Sequence, residues 1–258
     1  MSKHISLGQI VGHRGAGNAA PGSTMAALEK AASLGLEWVE FDVRLTKDHQ
    51  LVIANADDLS NCSGQSIKIS ESTLEELAHI NVGHSFEGTD QIHNIPLFES
   101  AVQFCIKQGI RTQIELKGET GSENTFAIAL ADSLRRSRLG FPKTFGPLVT
   151  SFTPQCLTTF KAHMKAPFLT GLLIHTDQAD AWEATAKEVQ PEFVHFYGGV
   201  IDGNRLTNKF GQSVKDAGYR LNAFKVNTKE DAKAAIKDGV ERFTTDEPET
   251  ILELLQGL

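Results

Sequence analysis

The sequence predicts an α/β protein with a (βα)8 TIM barrel that carries a small insertion after its second strand. Three observations lead to this prediction. Short apolar runs alternate with longer amphipathic segments, as in repeated βα units. Eight predicted strands and eight predicted helices can be counted. The length of 258 residues suits one barrel of about 250 residues. Residues 1–258 are therefore expected to form a single domain.

The predicted barrel strands are eight short segments, most of them rich in apolar residues. They are Gln9–Gly12, Trp38–Arg44, Thr112–Leu116, Leu148–Ser151, Phe168–Ile174, Phe193–Phe196, Arg220–Lys225 and Arg242–Thr245. The turn after the first strand reads Gly-His-Arg-Gly-Ala-Gly, which departs from the G-x-G-x-x-G order expected in a doubly wound open sheet. Strand number and turn sequence both favour the barrel.

The helices are predicted where apolar residues recur at helical spacing. They are Thr24–Leu34, Leu97–Gln108, Asn124–Arg136, Pro154–His163, Ala179–Val189, Arg205–Ala217, Lys229–Asp238 and Pro248–Leu255. About 50 residues separate the second strand from Leu97, whereas a simple βα loop has about 2–6. They contain a short strand, Leu51–Ile53, and a polar segment, so we expect an insertion at about 57–94 at one end of the barrel.

Composition excludes several classes of protein. The net charge of −7, with Lys and Arg scattered among Asp and Glu, argues against a nucleic-acid partner. No segment reaches the roughly 20 apolar residues that span a bilayer, so no stable membrane insertion is expected. Cys62, Cys105 and Cys156 fit neither a disulfide framework nor a zinc site, and no signal-peptide apolar run is present. We expect a cytoplasmic protein, and nothing in the sequence indicates its oligomeric state.

Two predicted strands carry charges where a parallel barrel should be apolar. Glu40 and Asp42 are two residues apart in one strand, and Glu115 and Lys117 are two residues apart at the end of another. Side chains alternate along a strand, so each pair lies on one face. The outer face packs on helices, which places these residues inside the barrel near its C-terminal mouth, where TIM-barrel active sites lie.

The first strand ends at His13 and Arg14, which should face the same opening. The three carboxylates offer hard oxygen ligands that suit Mg²⁺ or Ca²⁺, while Arg14 and Lys117 beside a divalent cation suit a phosphate. The alternative is a buried structural network built from the ion pairs Glu115–Lys117 and Arg14–Asp42. The charges alone leave both interpretations open.

A set of short motifs, in order along nearly the whole chain, resembles the glycerophosphodiester phosphodiesterases. The motifs are His13-Arg14-Gly15, Glu40-x-Asp42, Thr46-Lys47-Asp48, Leu51-Val52-Ile53, Ile95-Pro96, Glu115-x-Lys117, Ser151-Phe152, Val226-Asn227 and Thr245-Asp246-x-Pro248. The resemblance implies a metal-dependent hydrolase that converts a small-molecule glycerophosphodiester into glycerol 3-phosphate and an alcohol.

The resemblance also implies roles for individual residues. Glu40, Asp42 and Glu115 match the ligands of a divalent cation, Mg or Ca. His13 matches one histidine of a catalytic pair, in which one imidazole activates the nucleophile and the other protonates the leaving alkoxide. Arg14 and Lys117 match the phosphate-binding positions.

The sequence departs from the family pattern at two places. Pro21-Gly22-Ser23-Thr24 stands where the family usually reads Pro-Glu-Asn-Thr. Asn55 and Ala56 stand where it has His-Asp, and Asn61 where it has a further Arg. An asparagine cannot supply a proton near neutral pH, and losing a general acid costs about 10²–10⁴-fold in rate. We therefore expect weak activity with a preference for good leaving groups.

Three functional interpretations follow from these departures. The first is an impaired phosphodiesterase, unless a nearby histidine (His49, His84 or His93) substitutes for the missing one. The second is a catalytically inactive relative that binds a phosphate metabolite. The third is phospholipase-D-type cleavage of a lysolipid, which predicts an apolar groove near the insertion, although the segment from Asp57 to Asn94 is mostly polar.

Overall fold

Eight parallel strands close into a barrel, which confirms the predicted TIM barrel. The computed structural model describes residues 5–87, 90–118, 121–136, 146–164 and 168–256. The barrel strands are Ile10–Gly12 (β1), Trp38–Leu45 (β2), Arg111–Leu116 (β4), Leu148–Ser151 (β5), Leu169–Leu173 (β6), Phe193–Tyr197 (β7), Arg220–Phe224 (β10) and Phe243–Thr245 (β11). Each pairs with the next in that order, and β1 pairs with both β2 and β11, which closes the sheet.

Helices surround the barrel. They are Met25–Ser33 (α1), Phe98–Gln108 (α4), Glu123–Arg136 (α5), Pro154–His163 (α6), Trp182–Val189 (α7), Leu206–Asp216 (α8), Lys229–Asp238 (α9) and Pro248–Gln256 (α10). Local sequence sets their ends. The Oγ1 of Thr24 accepts a hydrogen bond from Ala27 N at 3.2 Å and caps α1, and Pro154 occupies the first turn of α6.

The predicted insertion is a small unit beside the mouth of the barrel. The short strand Leu51–Ile53 (β3) pairs antiparallel with β2 and leads into it. The insertion contains the one-turn helices Ser60–Ser63 (α2) and Leu74–Leu77 (α3) and a 3-10 helix at Ile69–Glu71. Val52, Leu59, Ile69, Leu77 and Ile95 form a buried cluster of their own, separate from the main core. Residues 88–89 of the predicted insertion lie outside the described residues.

Two local predictions need correction. The predicted helix Ala179–Val189 is divided into a 3-10 helix, Thr176–Ala181, and α7, which begins at Trp182. The Trp182 ring packs edge-on against Phe196 and Tyr219, so tertiary contacts fix where the α-helix starts. The loop after β7 contains an antiparallel hairpin of Val200–Ile201 (β8) and Asn204–Arg205 (β9), which periodicity did not predict.

Two buried layers stabilise the fold. The larger lies between the barrel and its helices and includes Val39, Phe41, Ile114 and Val149, all fully buried. Inside the barrel, Val11, Trp38, Leu148 and Phe193 fill the end at which the strands start. The residues of β2 that follow Trp38 on its inward face, Glu40 and Asp42, therefore lie further towards the C-terminal mouth.

Of the helices in the described ranges, none combines the length and the apolar composition that crossing a membrane requires.

Candidate active site

Three buried carboxylates meet inside the mouth of the barrel. Glu40 and Asp42 come from β2, and Glu115 comes from the neighbouring β4, where it pairs in register with Asp42. One carboxylate oxygen from each lies within 4.8 Å of the others. The residues are 2%, 1% and 8% exposed. The structure thus brings together all three of the predicted metal ligands.

Both predicted phosphate-binding cations lie against this cluster. Lys117 Nζ is 2.9 Å from Asp42 Oδ1 and also contacts Glu115 Oε1. Arg14 Nε lies 3.7 Å from Asp42 Oδ2, and the Arg14 backbone N–H donates to Glu40 Oε2 at 3.0 Å. The two predicted ion pairs are therefore present. However, the second oxygen of Glu40, Oε1, is buried and has no hydrogen-bond partner among the described residues.

The electrostatics of the cluster show an excess of negative charge. Burial raises the pKa of Glu40 well above its usual range, and the carboxylates of Asp42 and Glu115 raise it further. Burial, with Asp42 nearby, raises the pKa of Glu115 to about 7. Burial also opposes ionisation of Asp42, but Lys117 and Arg14 lower the pKa of Asp42 below its usual value. Two cations therefore do not balance three carboxylates, and a further positive charge would be stabilised there.

His13 is held by residues that follow the last two barrel strands. Its Nδ1 is hydrogen-bonded to Asp246 Oδ1, and its Nε2 lies 3.8 Å from Glu40 Oε2. Asp246 Oδ2 accepts from Asn227 Nδ2 at 2.9 Å, and Asn227 Oδ1 accepts from Asp246 N at 2.8 Å. The hydrogen bond from His13 holds the pKa of Asp246 far below its usual range. If Nδ1 donates to this carboxylate, Nε2 keeps its lone pair on the side of the cluster.

Gly17 allows the loop after β1 to lie close to the loop after β11. It has a φ of +57°, and a Cβ at this position would lie 2.2 Å from Asp246 O. The neighbouring Asn18 N donates to the same Asp246 O at 2.7 Å, and Gly17 N donates to His13 O at 2.8 Å. A residue with a side chain would separate these segments. This glycine therefore permits the contact between His13 and Asp246.

Asn55 follows β3 and reaches the carboxylates. Its side-chain Nδ2 donates to Asp42 Oδ2 at 3.0 Å, and its backbone carbonyl accepts from Arg44 Nε at 2.9 Å. The motif resemblance predicts that Asn55 replaces the second histidine of the family, and its side chain is an amide. Nδ2 of an amide donates a hydrogen bond but does not titrate near neutral pH.

Two cavities open beside these residues. The larger, about 360 Å³, lies between the barrel mouth and the insertion, and we call it the side pocket. Its lining includes Arg14, Gly22, Ser23, Asn55, Asn61 and Phe86. The smaller, about 130 Å³, is lined by Arg14, Gly22, Phe86 and the pair His13 and Asp246. Arg14 therefore borders both cavities.

The other histidines considered are not among the lining residues of these cavities. His49 and His84 are exposed and His93 is half-buried, and none of the three lines either cavity. The exposed ring of His175 stacks on Phe152 with centroids 4.1 Å apart. His195 is fully buried in the barrel, with Nε2 3.4 Å from Asn222 Nδ2. None of them occupies the place of a second catalytic imidazole.

Sequence reasoning assigned no role to Asp246 and Asn227. Asp246 directly follows β11, and Asn227 lies three residues beyond the end of β10. Polar residues just after barrel strands are the signal that could have identified them, because the C-terminal strand ends meet at the mouth.

Comparison with known proteins identifies the family. The sequence profile of the glycerophosphoryl diester phosphodiesterase family matches residues 13–250. The chain belongs to this family. The resemblance seen in the motifs is therefore confirmed, and with it the predicted enzyme class, phosphoric diester hydrolase.

Two bacterial members of the family match over nearly their full length. A glycerophosphodiester phosphodiesterase of Caldanaerobacter subterraneus is 26% identical over 96% of this chain and 97% of its own length. One from Bacillus altitudinis is 25% identical over 97% of this chain and 99% of its own.

Solved structures give the same result for the fold. A phosphodiesterase of Oleispira antarctica, in complex with its product sn-glycerol 3-phosphate, superposes with a TM-score of 0.83, 25% identity and 96% coverage of each chain. A family member from Parabacteroides distasonis has a TM-score of 0.76 at 21% identity, covering 96% of this chain and 97% of its own.

Proposed function

We propose that the protein hydrolyses small-molecule glycerophosphodiesters to glycerol 3-phosphate and an alcohol, with the help of a divalent cation. The observation that carries this proposal is the buried cluster of Glu40, Asp42 and Glu115 beside Arg14 and Lys117 at the barrel mouth. Three carboxylates next to two cations suit a metal ion and a phosphate together. The names of the bacterial relatives and the product bound by the Oleispira enzyme support the same substrate class.

The donor set fits Mg²⁺ or Ca²⁺. Glu40, Asp42 and Glu115 supply only oxygen, and the unpartnered Oε1 of Glu40 is a buried acceptor that a cation would satisfy. When bound, such an ion supplies Lewis-acid stabilisation of the charge that develops on the phosphoryl oxygens.

Arg14 and Lys117 hold the phosphate in this proposal. Both side chains stay partly exposed, at 37% and 22%, while the carboxylates beneath them are buried. Arg14 has a planar fork of donors that matches two phosphoryl oxygens, and Lys117 acts as a point charge. Together they place the phosphorus atom above the carboxylate cluster.

His13 activates the nucleophile. Its Nε2 takes the proton of the attacking water, whose oxygen forms the new bond to phosphorus as the bond to the alcohol oxygen breaks. Asp246 accepts the hydrogen bond from Nδ1, fixes the ring and stabilises the imidazolium that forms. The electron pair of the broken bond leaves with the alcohol oxygen.

Asn55 provides no proton for that oxygen. Its amide donates to Asp42, and the cavity beside it has no histidine among its lining residues. The alkoxide is protonated by solvent instead, so the rate depends on the acidity of the alcohol. If this dependence is too severe for turnover, the same residues bind a phosphate metabolite without hydrolysing it.

The deciding experiment is a turnover assay with glycerophosphocholine. The protein is stripped with a chelator and then assayed alone, with Mg²⁺ and with Ca²⁺, while glycerol 3-phosphate and choline are measured separately. Cation-dependent release of glycerol 3-phosphate is expected. Cation-dependent binding of glycerol 3-phosphate without turnover would instead identify an inactive binding protein.

A lysophospholipid serves as the second substrate in the same assay. Preferential release of its headgroup would favour lysolipid cleavage over the proposed reaction. Among the described residues, the feature that would suit such an activity is a groove of about 530 Å³ bordered by the exposed Ile92 and Leu97. None of the three carboxylates lines this groove, and it shares Ile95 alone with the side pocket.

We also place the protein in the cytoplasm. Cys62, Cys105 and Cys156 are free thiols, as a reducing compartment would keep them. The net charge of −7 is compatible with a small phosphodiester partner held at a local cationic site rather than with nucleic acid.

A further inference from the structure

The side pocket adjoins the proposed phosphate site, and its volume is larger than a phosphate group requires. Arg14 forms part of its wall, and its volume of about 360 Å³ falls in the range of roughly 300–1,000 Å³ typical of small-molecule sites. Small residues create this space: Gly22, Ala54 and Ala56 all line it. Any substituent on a phosphate bound at Arg14 has this cavity as a neighbour.

The hydrogen-bonding groups of the side pocket are mostly uncharged. Ser23, Asn55, Asn61 and Ser85 contribute two hydroxyls and two amides to its lining. The Oγ of Ser23 and the Nε of Arg14 are buried and have no hydrogen-bond partner among the described residues. Asn61 and Ser85 are exposed, so their polar groups remain accessible to a ligand in the pocket.

Each of the two charged lining residues already interacts with a neighbour in the protein. Arg14 lies near Asp42, and Asp58 accepts hydrogen bonds from Ser60 N at 2.8 Å and Ser66 Oγ at 3.4 Å. Phe86 is the one aromatic side chain among the lining residues. A quaternary ammonium is bound by several aromatic faces, which this lining does not supply. Amides and hydroxyls beside the apolar surfaces of Ile53 and Phe86 suit an alcohol with several hydroxyl groups.

We propose that the side pocket is the subsite for the alcohol of the phosphodiester and that it selects a neutral, polyhydroxylated alcohol. This inference rests on the proposed function and names the substrate class within it. The hydroxyl groups pair with Asn55, Asn61 and Ser85, and the carbon skeleton packs on Phe86. Binding energy from this subsite positions the ester above the carboxylates although no proton donor assists its departure.

The test compares the inositol, choline and methyl esters of glycerol 3-phosphate as substrates. The inositol ester has the neutral hydroxyl-bearing group, the choline ester a cation, and the methyl ester nothing that reaches the pocket. The kcat/KM of the parent protein for the inositol ester should exceed that for the choline ester by at least about tenfold, the size of effect that lost pocket contacts produce.

Two variants alter the pocket in different ways. Ala56→Leu fills it, and Asn61→Leu removes an amide with little change in volume. Both positions are exposed, which favours normal folding. Each should lower kcat/KM for the inositol ester at least about tenfold and change that for the methyl ester less than twofold. Ala184→Leu, at an exposed position in α7, is the matched control and should change neither.

Different failures can be distinguished. A parent protein that prefers the choline ester, or variants that change all three esters equally, would overturn the subsite while leaving the phosphodiesterase activity in place. A parent protein that hydrolyses none of the three esters would overturn the proposed function itself. A melting curve that matches the parent protein identifies the folded variants, and only the kinetics of folded variants are compared.

Discussion

His13 and Asp246 are joined by a hydrogen bond between Nδ1 and Oδ1, although they are 233 positions apart in the sequence. The contact crosses the seam where the first and last strands close the barrel. It leaves Nε2 of His13 pointing to the side of Glu40. The closure of the barrel therefore assembles the proposed base and its orienting carboxylate in one step.

The first prediction concerns this pair. Asp246→Asn removes the charge that stabilises the imidazolium and allows the wrong tautomer, so kcat should fall at least about 10²-fold while KM and metal affinity stay unchanged. Steady-state kinetics together with calorimetric titration of the cation measure both effects. Asp216→Asn, at an exposed position in α8, is the control. Equal losses in kcat and in metal affinity would mean that Asp246 has a structural role instead.

Glu115→Gln tests the metal site. The change removes one anionic ligand but keeps shape and hydrogen bonding, so the Kd for Mg²⁺ or Ca²⁺ should rise at least about tenfold with thermal stability retained. Titration calorimetry and a melting curve on the same sample give the two values. Glu188→Gln at an exposed position should leave the Kd unchanged. If Glu115→Gln binds either cation as tightly as the parent protein, the carboxylates form a structural network and not a metal site.

Arg14→Lys tests phosphate recognition. Lysine keeps the charge but loses the planar fork of donors, so KM should rise on the order of tenfold. For the same reason glycerol 3-phosphate should inhibit the variant less strongly. The KM and the product inhibition constant are measured with the same substrate. Arg135→Lys on the exposed side of α5 is the control. Unchanged values for both constants would contradict the assignment of Arg14.

The fourth prediction concerns Asn55 and the acidity of the leaving group. The parent protein should favour bis-(p-nitrophenyl) phosphate over glycerophosphocholine, because nitrophenolate leaves without protonation. Asn55→His should raise turnover of glycerophosphocholine at least about tenfold and the aryl ester much less. Ala56 and Gly22 remain, so the new imidazole lacks neighbours that fix it and the gain stays incomplete. Rapid hydrolysis of glycerophosphocholine by the parent, with no gain from Asn55→His, would show that another group is the acid.

The buried His195 predicts a pH dependence of stability. Burial lowers the pKa of His195 to about 3, with Arg242 adding to the effect, whereas an unfolded histidine titrates near 6.5. Between these values the unfolded state binds one more proton. The free energy of unfolding should therefore fall as pH falls below about 6.5, with a contribution of up to about 1.4 kcal/mol per pH unit.

Urea unfolding at several pH values measures this slope. His195→Gln keeps an acceptor for Asn222 but does not titrate. The free energy of unfolding of this variant should therefore depend less steeply on pH, by the amount that the uptake of about one proton contributes. His79→Gln, at an exposed position, should retain the slope of the parent protein. Identical slopes for the parent protein and His195→Gln would refute the prediction.

Much of the site could be predicted because it depends on short-range rules. Glu40 and Asp42 share a face since side chains alternate along a strand, and the same rule placed Glu115 beside Lys117. The neighbouring strand positions then follow from the barrel, where C-terminal strand ends meet. Asn55 was identified by its position relative to the motifs, and the structure places its amide 3.0 Å from Asp42.

Other features had no local signal. The start of α7 at Trp182 depends on packing against Phe196 and Tyr219 from later elements, so helical periodicity placed the boundary wrongly. The hairpin of β8 and β9 involves two residues in each strand, too few for alternation to be seen.

The sequence by itself determined the barrel, the family and the residues that line the mouth, because strand alternation and ordered motifs are properties of neighbouring positions. Only the tertiary structure decided that His13 pairs with Asp246, that Glu40 keeps an unpartnered buried oxygen, and that a side pocket opens beside Arg14. Each of these depends on distances between segments far apart in the chain. Such distances are set by how the strands close and how the insertion packs on the mouth, and no local pattern encodes them.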